Sequence, residues 1–440
     1  MERPVSAPLP LPQVPQPYIL HDIAVPQALL RDLPGIAMTG GMEGGLVRTS
    51  LGVAAGRICA PGEIEEALQV PAGGWTALPR LIEPHVHLDK SDTIAETGAG
   101  DGTLMGAIGT MGAAMRDWDD AHYAARMTRA VKEALTAGVG AMRTHIDCMD
   151  LPEDTPGWRA ISEVAGAFAG RMQITPVALA ALDRTRAENF DTRCAQVARG
   201  GGVLGAFIGP DGADPDLLDA FLTGAERHGL DVDFHVDEHL RAVPSATVAL
   251  AEAVLRTGFA GRVLAGHTCR LGLMDAEELD RAVDVIARSG IAVASLPRTN
   301  LYLQDRQAGR TPTRRGMAPI HELAARGVPV VFGTDNVRDA FFPFGGYDLL
   351  NLFADAAYSL HLDDDLGGWL RAVTDVAADM LGLGGAGSVR AGGAADLVLL
   401  PARNWSGILT TRPEDRTILI GGRQSAQSTL RDLPRKEAAS

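Results

Sequence analysis

Residues 78–87 read LPRLIEPHVH, an apolar run that closes on two histidines one residue apart. In an extended strand alternate side chains share a face, so His85 and His87 project together while Val86 turns away. Two imidazoles on one face at a strand end suit a shared cation. Two solvated histidines closing a strand would look the same, so the choice depends on the rest of the chain.

From about residue 81 to 336, short apolar runs alternate with amphipathic helical patterns, the rhythm of βα units. The runs are LPRLIEPHVH (78–87), VGAMRTHID (139–147), QITPVALA (173–180), GVLGAFIG (202–209), LDVDFHVDE (230–238), RVLAGHT (262–268), IAVASLP (291–297) and VPVVFGTDN (328–336). Between the sixth and seventh lies DAEELDRAVDVIARSG (275–290), where Leu279, Ala282, Val283 and Ile286 share one helical face. Asp275 with Glu278 forms a capping box at its start and Gly290 a stop at its end. Similar capped helices are expected over 118–138 and 214–229. Eight such units in series, with no Gly-rich dinucleotide turn after the first, predict a (β/α)8 TIM barrel rather than a doubly wound sheet.

Both ends of the chain differ from the middle. SLGVAAGRICAPGE (50–63), GSVRAGGAADLVLLPA (387–402) and RTILIGGRQSAQSTL (416–430) read as short strands joined by Gly turns. They predict a small β-sandwich module built from both chain ends, 18–78 and 386–430, beside a barrel over 79–385. Two unrelated β extensions are the alternative. A flexible Pro-rich tail is expected at 1–17 and a second tail at 431–440.

Composition narrows the function. A chain of 440 residues exceeds the ~250–300 at which one core stops growing. A formal net charge of −15 repels phosphate backbones and anionic membrane surfaces, which leaves a small molecule as the expected partner. The four cysteines are scattered without a CxxC pair, which disfavours a disulfide framework or thiolate zinc site and suits a cytoplasmic protein. No run approaches the ~18 apolar residues of a membrane span. Homo-oligomerisation is left open.

In a (β/α)8 barrel the reactive groups sit at the C-terminal ends of the strands. There the fifth strand carries His235 with Glu238 three residues on, the sixth carries His267 and the eighth Asp335. Any one of them alone would be read as a satisfied core residue; together with the first-strand pair they mark one rim. Three imidazoles and a carboxylate suit Zn2+ or Fe2+ better than the oxygen-seeking Mg2+ or Ca2+.

The blocks EPHVHLDK, RTHID, FHVDEH, GHT, NLYLQDR with TRRG, and FGTDNVRD with FPFG stand in an order that resembles the amidohydrolase superfamily, nearest its bacterial cytosine deaminase branch. The resemblance runs from about residue 48 into the last β strands. It implies one divalent metal ion held by His85, His87, His235 and Asp335, with Glu238, His267 and Asp335 catalytic. Glu238 would protonate a ring nitrogen, His267 would stabilise developing charge, and Asp335 would act as ligand and base. Two-metal members bridge their ions through a lysine at the end of strand four; here that strand ends AFIGPD, and the only lysines are Lys90, Lys132 and Lys436. His145 and Asp147 match the family and are read as supporting or packing residues.

The resemblance weakens at the substrate. Cytosine deaminases place a glutamine at the end of strand three, where this chain has Leu179, and an acid often follows the ligand aspartate, where it has Asn336. A site that lacks a required hydrogen-bond partner loses orders of magnitude in discrimination. SLPRTN (295–300) brings Arg298 toward the rim, as a structural arginine or as a partner for an anionic substrate. DNVRDAFFPFG (335–345), with Phe341, looks like the relative that removes an alkylamine from N-isopropylammelide. The expectation is an aminohydrolase cleaving an exocyclic C–N bond of a nitrogen heterocycle other than cytosine. The alternative is release of an alkylamine, or opening of a cyclic amide, on the same scaffold.

Overall fold

The computed structural model describes residues 8–31, 44–211 and 213–425. Eight strands follow one another around a single sheet in chain order: β1 (Leu81–Val86), β2 (Val139–Asp147), β3 (Gln173–Ala181), β4 (Val203–Phe207), β5 (Val232–Val236), β6 (Val263–His267), β7 (Ala292–Ser295) and β8 (Val330–Phe332). The resolved pairings from β2 to β8 are parallel. Just past the strand ends Val86 bridges Asp335, with Asp335 N donating to His85 O at 2.9 Å and His87 N to Asp335 O at 3.2 Å. The expected barrel therefore closes between its first and last strands, at the two residues richest in chemistry.

Register decides what faces inward. His145 pairs with Val177, Asp147 with Leu179, Leu179 with Gly205, Gly205 with Asp233, and His235 with Gly266. In parallel strands paired residues share a face, so these form one inward set. Two inward glycines leave room for His85: a Cβ on Gly266 would come 2.9 Å from the His85 ring, and one on Gly333 would come 2.6 Å from the His85 carbonyl.

The helices form where the patterns place them. Ala276–Ser289 starts with Asp275 accepting from Glu278 N at 2.8 Å and stops at Gly290, whose φ of 72° suits a residue without Cβ. Helices Asp120–Ala137 and Pro215–Arg227 lie within the stretches expected for them, the second capped by Asp214.

The chain divides into two compact units, one drawing on Glu83–Thr128 and Ala141–Gly346, the other on Met1–Ile82, Arg129–Gly140 and Tyr347–Ser440. The second unit contains an eight-stranded sheet whose strands come from 18–79 and 397–424, both sides of the barrel sequence. Tyr18, Leu20, Ile23, Leu51, Ile58, Val70, Leu397 and Leu419 build its apolar core. Leu9 and Leu11 are buried in the same core, so from Pro8 onward the Pro-rich stretch is seated by its leucines. Residues 1–7 and the tail at 431–440 lie outside the described residues. Among the described residues no helix is long and apolar enough to cross a membrane.

Candidate active site

The C-terminal ends of β1, β5, β6 and β8 bring His85, His87, His235, His267 and Asp335 together, all buried. His87 Nε2 lies 2.9 Å from His235 Nε2 and 3.3 Å from Asp335 Oδ1, while His85 Nε2 is 3.6 Å from the same oxygen. Two sets of four donors fall within 4.8 Å of one another: His85, His87, His145 and His235, and His85, His235, His267 and Asp335. Each residue expected as a ligand appears in one set or the other. His145 and His267 are the additions.

The backbone works to aim these groups. Asp335 and His267 sit at φ of 57° and 71°, and Asp237 and Thr268 are also left-handed. Such conformations are uncommon outside glycine and persist where surrounding structure enforces them. Asp237 is held by Ala246 N, Thr247 N and the hydroxyls of Ser245 and Thr247 at the start of helix Ala246–Thr257. Glu83, one inward step below His85, accepts from His85 N at 3.1 Å and from Thr334 N and Oγ1, tying β1 to the end of β8.

The donor atoms fit a metal ion. His85 Nδ1 and Nε2, His235 Nδ1 and both Asp335 oxygens are buried without a well-aligned hydrogen bond. Buried polar groups are rarely left so. Burial holds the His87 and His235 imidazoles well below their usual range, in the neutral form that ligates. Burial pushes the Asp335 carboxyl up, but the imidazoles of His85 and His87 overcome it and hold the group ionised. His145 is less available: Nε2 lies 3.0 Å from Asp233 Oδ1 and Nδ1 3.3 Å from Val86 O. Asp233 also accepts from Arg143 at 3.3 Å, so the inward column Arg143, Asp233, His145 underlies the cluster.

Glu238 has the opposite electrostatics. Its side chain is buried, accepts no hydrogen bond among the described residues, and stands 3.6 Å from His267 Nε2. Burial, reinforced by the Asp335 carboxylate, pushes its carboxyl well above the ordinary range. Burial likewise brings His267 down to about 3. The site thus drives two neighbouring carboxyls in opposite directions, Asp335 toward the ionised form and Glu238 toward the protonated one.

The residues expected around the substrate are distributed as follows. Leu179 faces inward on β3, buried. Asn336 is buried, and its Nδ2 donates to Asp339 Oδ2 at 2.7 Å. Asp339 Oδ1 accepts from the backbone N of Phe341 and Phe342, and the Phe341 side chain joins Ala107, Met111, Leu303 and Ala340 in an apolar cluster. Arg298 is half-buried on helix Pro297–Leu303 and has partners of its own. Beyond that helix Arg310 and Arg314 pair with Asp305, and Arg306 stacks on Tyr302 with its guanidinium 4.4 Å from the ring centre.

Sequence reasoning passed over Glu83, Lys90, Asp233 and Asn300. Alternation in EPHVH already placed Glu83 inward. Lys90 gave no such signal: its Nζ reaches Asp147 at 2.8 Å, Asp89 at 3.2 Å and His87 Nδ1 at 3.2 Å through a turn after the strand.

Residues 176–426 match the Amidohydrolase family. The chain is 35% identical over 418 residues to a pterin deaminase of Rhizobium rhizogenes, covering 92% of this chain and 93% of that one. It is 24% identical over 349 residues to N-isopropylammelide isopropyl amidohydrolase of a Pseudomonas species, covering 76% and 81%. Among solved structures, 5-methylcytosine deaminase from Klebsiella pneumoniae with phosphonocytosine superposes with a TM-score of 0.76 at 24% identity, covering 93% of this chain and 97% of the other.

Proposed function

The chain belongs to the amidohydrolase family, and from that premise we propose a mononuclear metal-dependent deaminase of an amino-substituted fused heterocycle of the pterin kind. His85, His87, His235 and Asp335 would hold the ion, Zn2+ or Fe2+. When bound, a divalent ion at such a cluster lowers the pKa of water from ~15.7 toward ~7 and so supplies hydroxide at neutral pH.

The observation that carries the reading is the buried Glu238 carboxyl, 3.6 Å from His267 Nε2 at the edge of the histidine–aspartate cluster, which burial and the Asp335 carboxylate push above its ordinary range. Cleaving an exocyclic C–N bond of an aromatic ring requires a proton on the ring nitrogen beside the attacked carbon, and Glu238 holds one at its carboxyl. Asp335 accepts a proton at a carboxylate oxygen and passes it toward the leaving amine. His267 stabilises the negative charge that develops at the attacked carbon's oxygen. Leu179 supports a substrate contact at the end of β3 that differs from the one cytosine deaminases make there, because an apolar side chain offers a ring no hydrogen bond.

The second reading, alkylamine release, draws on the 24% identity to N-isopropylammelide isopropyl amidohydrolase over 76% of this chain. A screen of pterins, purines, aminopyrimidines and aminotriazines for released ammonia or amine separates the two. Ammonia from a pterin with cytosine inert is the expected result, and cytosine turnover equal to pterin turnover would overturn it. The free state of all four cysteines supports a reducing, cytoplasmic setting.

A further inference from the structure

We infer that Asn300 is a positioning residue that fixes the tautomer of His267, making that imidazole a hydrogen-bond donor to the reacting centre rather than a further ligand; this rests on the deaminase reading of the site. Position alone leaves His267 ambiguous, since its donor lies within 4.8 Å of those of His85, His235 and Asp335. It pairs with Val236, on the outward side of the β5 register, and only its left-handed backbone swings the ring inward.

Asn300 resolves the ambiguity. It is fully buried, and its Nδ2 sits 3.0 Å from His267 Nδ1. A neutral imidazole has one donor and one acceptor nitrogen. With Nδ1 accepting from the amide, the proton resides on Nε2, the nitrogen 3.6 Å from Glu238 Oε2. A protonated nitrogen donates and cannot coordinate. The opposite amide orientation is disfavoured because Asn300 Oδ1 has no partner in its buried position. Reversal would replace an orphan carbonyl by an orphan NH2, and buried N–H groups without partners are the rarer case.

The same short helix, Pro297–Leu303, braces the acid. Gln304 lies one turn beyond Asn300, with its backbone N donating to Asn300 O at 2.9 Å and its Nε2 donating to Glu238 O at 3.3 Å. Gly316 packs on Gln304 so closely that a Cβ there would come 2.3 Å from the Gln304 Cβ. The blocks NLYLQDR and TRRG, which carried the resemblance without an assigned role, thus hold a side chain and a main chain of the reacting centre.

Asn300→Asp tests the inference, because an ionised carboxylate only accepts and would force the proton onto His267 Nδ1. In the metal-loaded enzyme kcat should fall ~10²- to 10³-fold, the loss of one positioned donor, with KM and metal content near those of the unsubstituted enzyme. Should that variant fail to fold, nitrogen-15 spectra of the unsubstituted holoenzyme, with His267 assigned by comparison with His267→Gln, read the tautomer directly. A protonated Nε2 supports the inference, and a protonated Nδ1 overturns it. Unchanged kcat in Asn300→Asp beside an inactive Glu238→Gln overturns the tautomer assignment while leaving the deaminase reading intact. An unsubstituted enzyme that releases neither ammonia nor amine from any ring overturns the deaminase reading, and the spectra still decide the tautomer.

Discussion

At the scale of single residues, the proposed chemistry rests on two carboxyls driven in opposite directions by their surroundings. Imidazoles hold the Asp335 carboxyl well below its ordinary range, while burial and the Asp335 carboxylate push that of Glu238 well above it. Glu238→Gln preserves shape and removes the transferable proton. It should lower kcat by ~10²- to 10⁴-fold while elemental analysis of the purified variant finds unchanged metal, and retained turnover would refute the role. The histidines and Asp335 were legible because each is a polar residue ending an apolar strand. Asn300 was not, since hydrogen-bonding to an imidazole 33 residues away leaves no periodic trace, and neither His145 nor His267 reveals from sequence which of its nitrogens faces the centre.

At the scale of elements, the inward column beneath the cluster makes the strands depend on buried charge. Arg143, Asp233 and His145 are almost wholly buried and lean on one another across β2 and β5. Asp233→Ala strands a buried guanidinium and should cost about 3–5 kcal/mol of stability, read as a lowered thermal midpoint. The pH dependence has a definite sign. Burial alone would raise the Asp233 carboxyl, but His145 and Arg143 hold it at about 2, below its ordinary 3.8. A depressed carboxyl stabilises the fold fully above its unfolded pKa and loses that contribution as pH falls toward the folded value. The contribution is on the order of 2 kcal/mol and should vanish between about pH 4 and 2. In Asp233→Asn the thermal midpoint should change less over that window than in the unsubstituted protein; an equally steep decline would refute the assignment. Strand identity and order were readable from alternation and length. The left-handed turns at Asp237, His267 and Asp335 were not, because these are ordinary polar residues in conformations that only the completed barrel enforces.

At the scale of the whole molecule, eight βα units and a sheet drawn from both ends of the sequence followed from patterning, because hydrophobic period and Gly stops are local signals. The seating of Leu9 and Leu11 did not, since a Pro-rich stretch looks the same whether or not its leucines find a core. A net charge of −15 weighs against long-range attraction to polyanions. The central claim is that three imidazoles and an aspartate from β1, β5 and β8 jointly hold one divalent ion on which turnover depends. Titrating the intact protein with a chelator, while measuring bound metal and ammonia release on the same samples, tests it most directly. The account predicts one ion per chain, activity falling in proportion to metal lost, and recovery on adding Zn2+ or Fe2+; undiminished ammonia release from metal-free protein would contradict it.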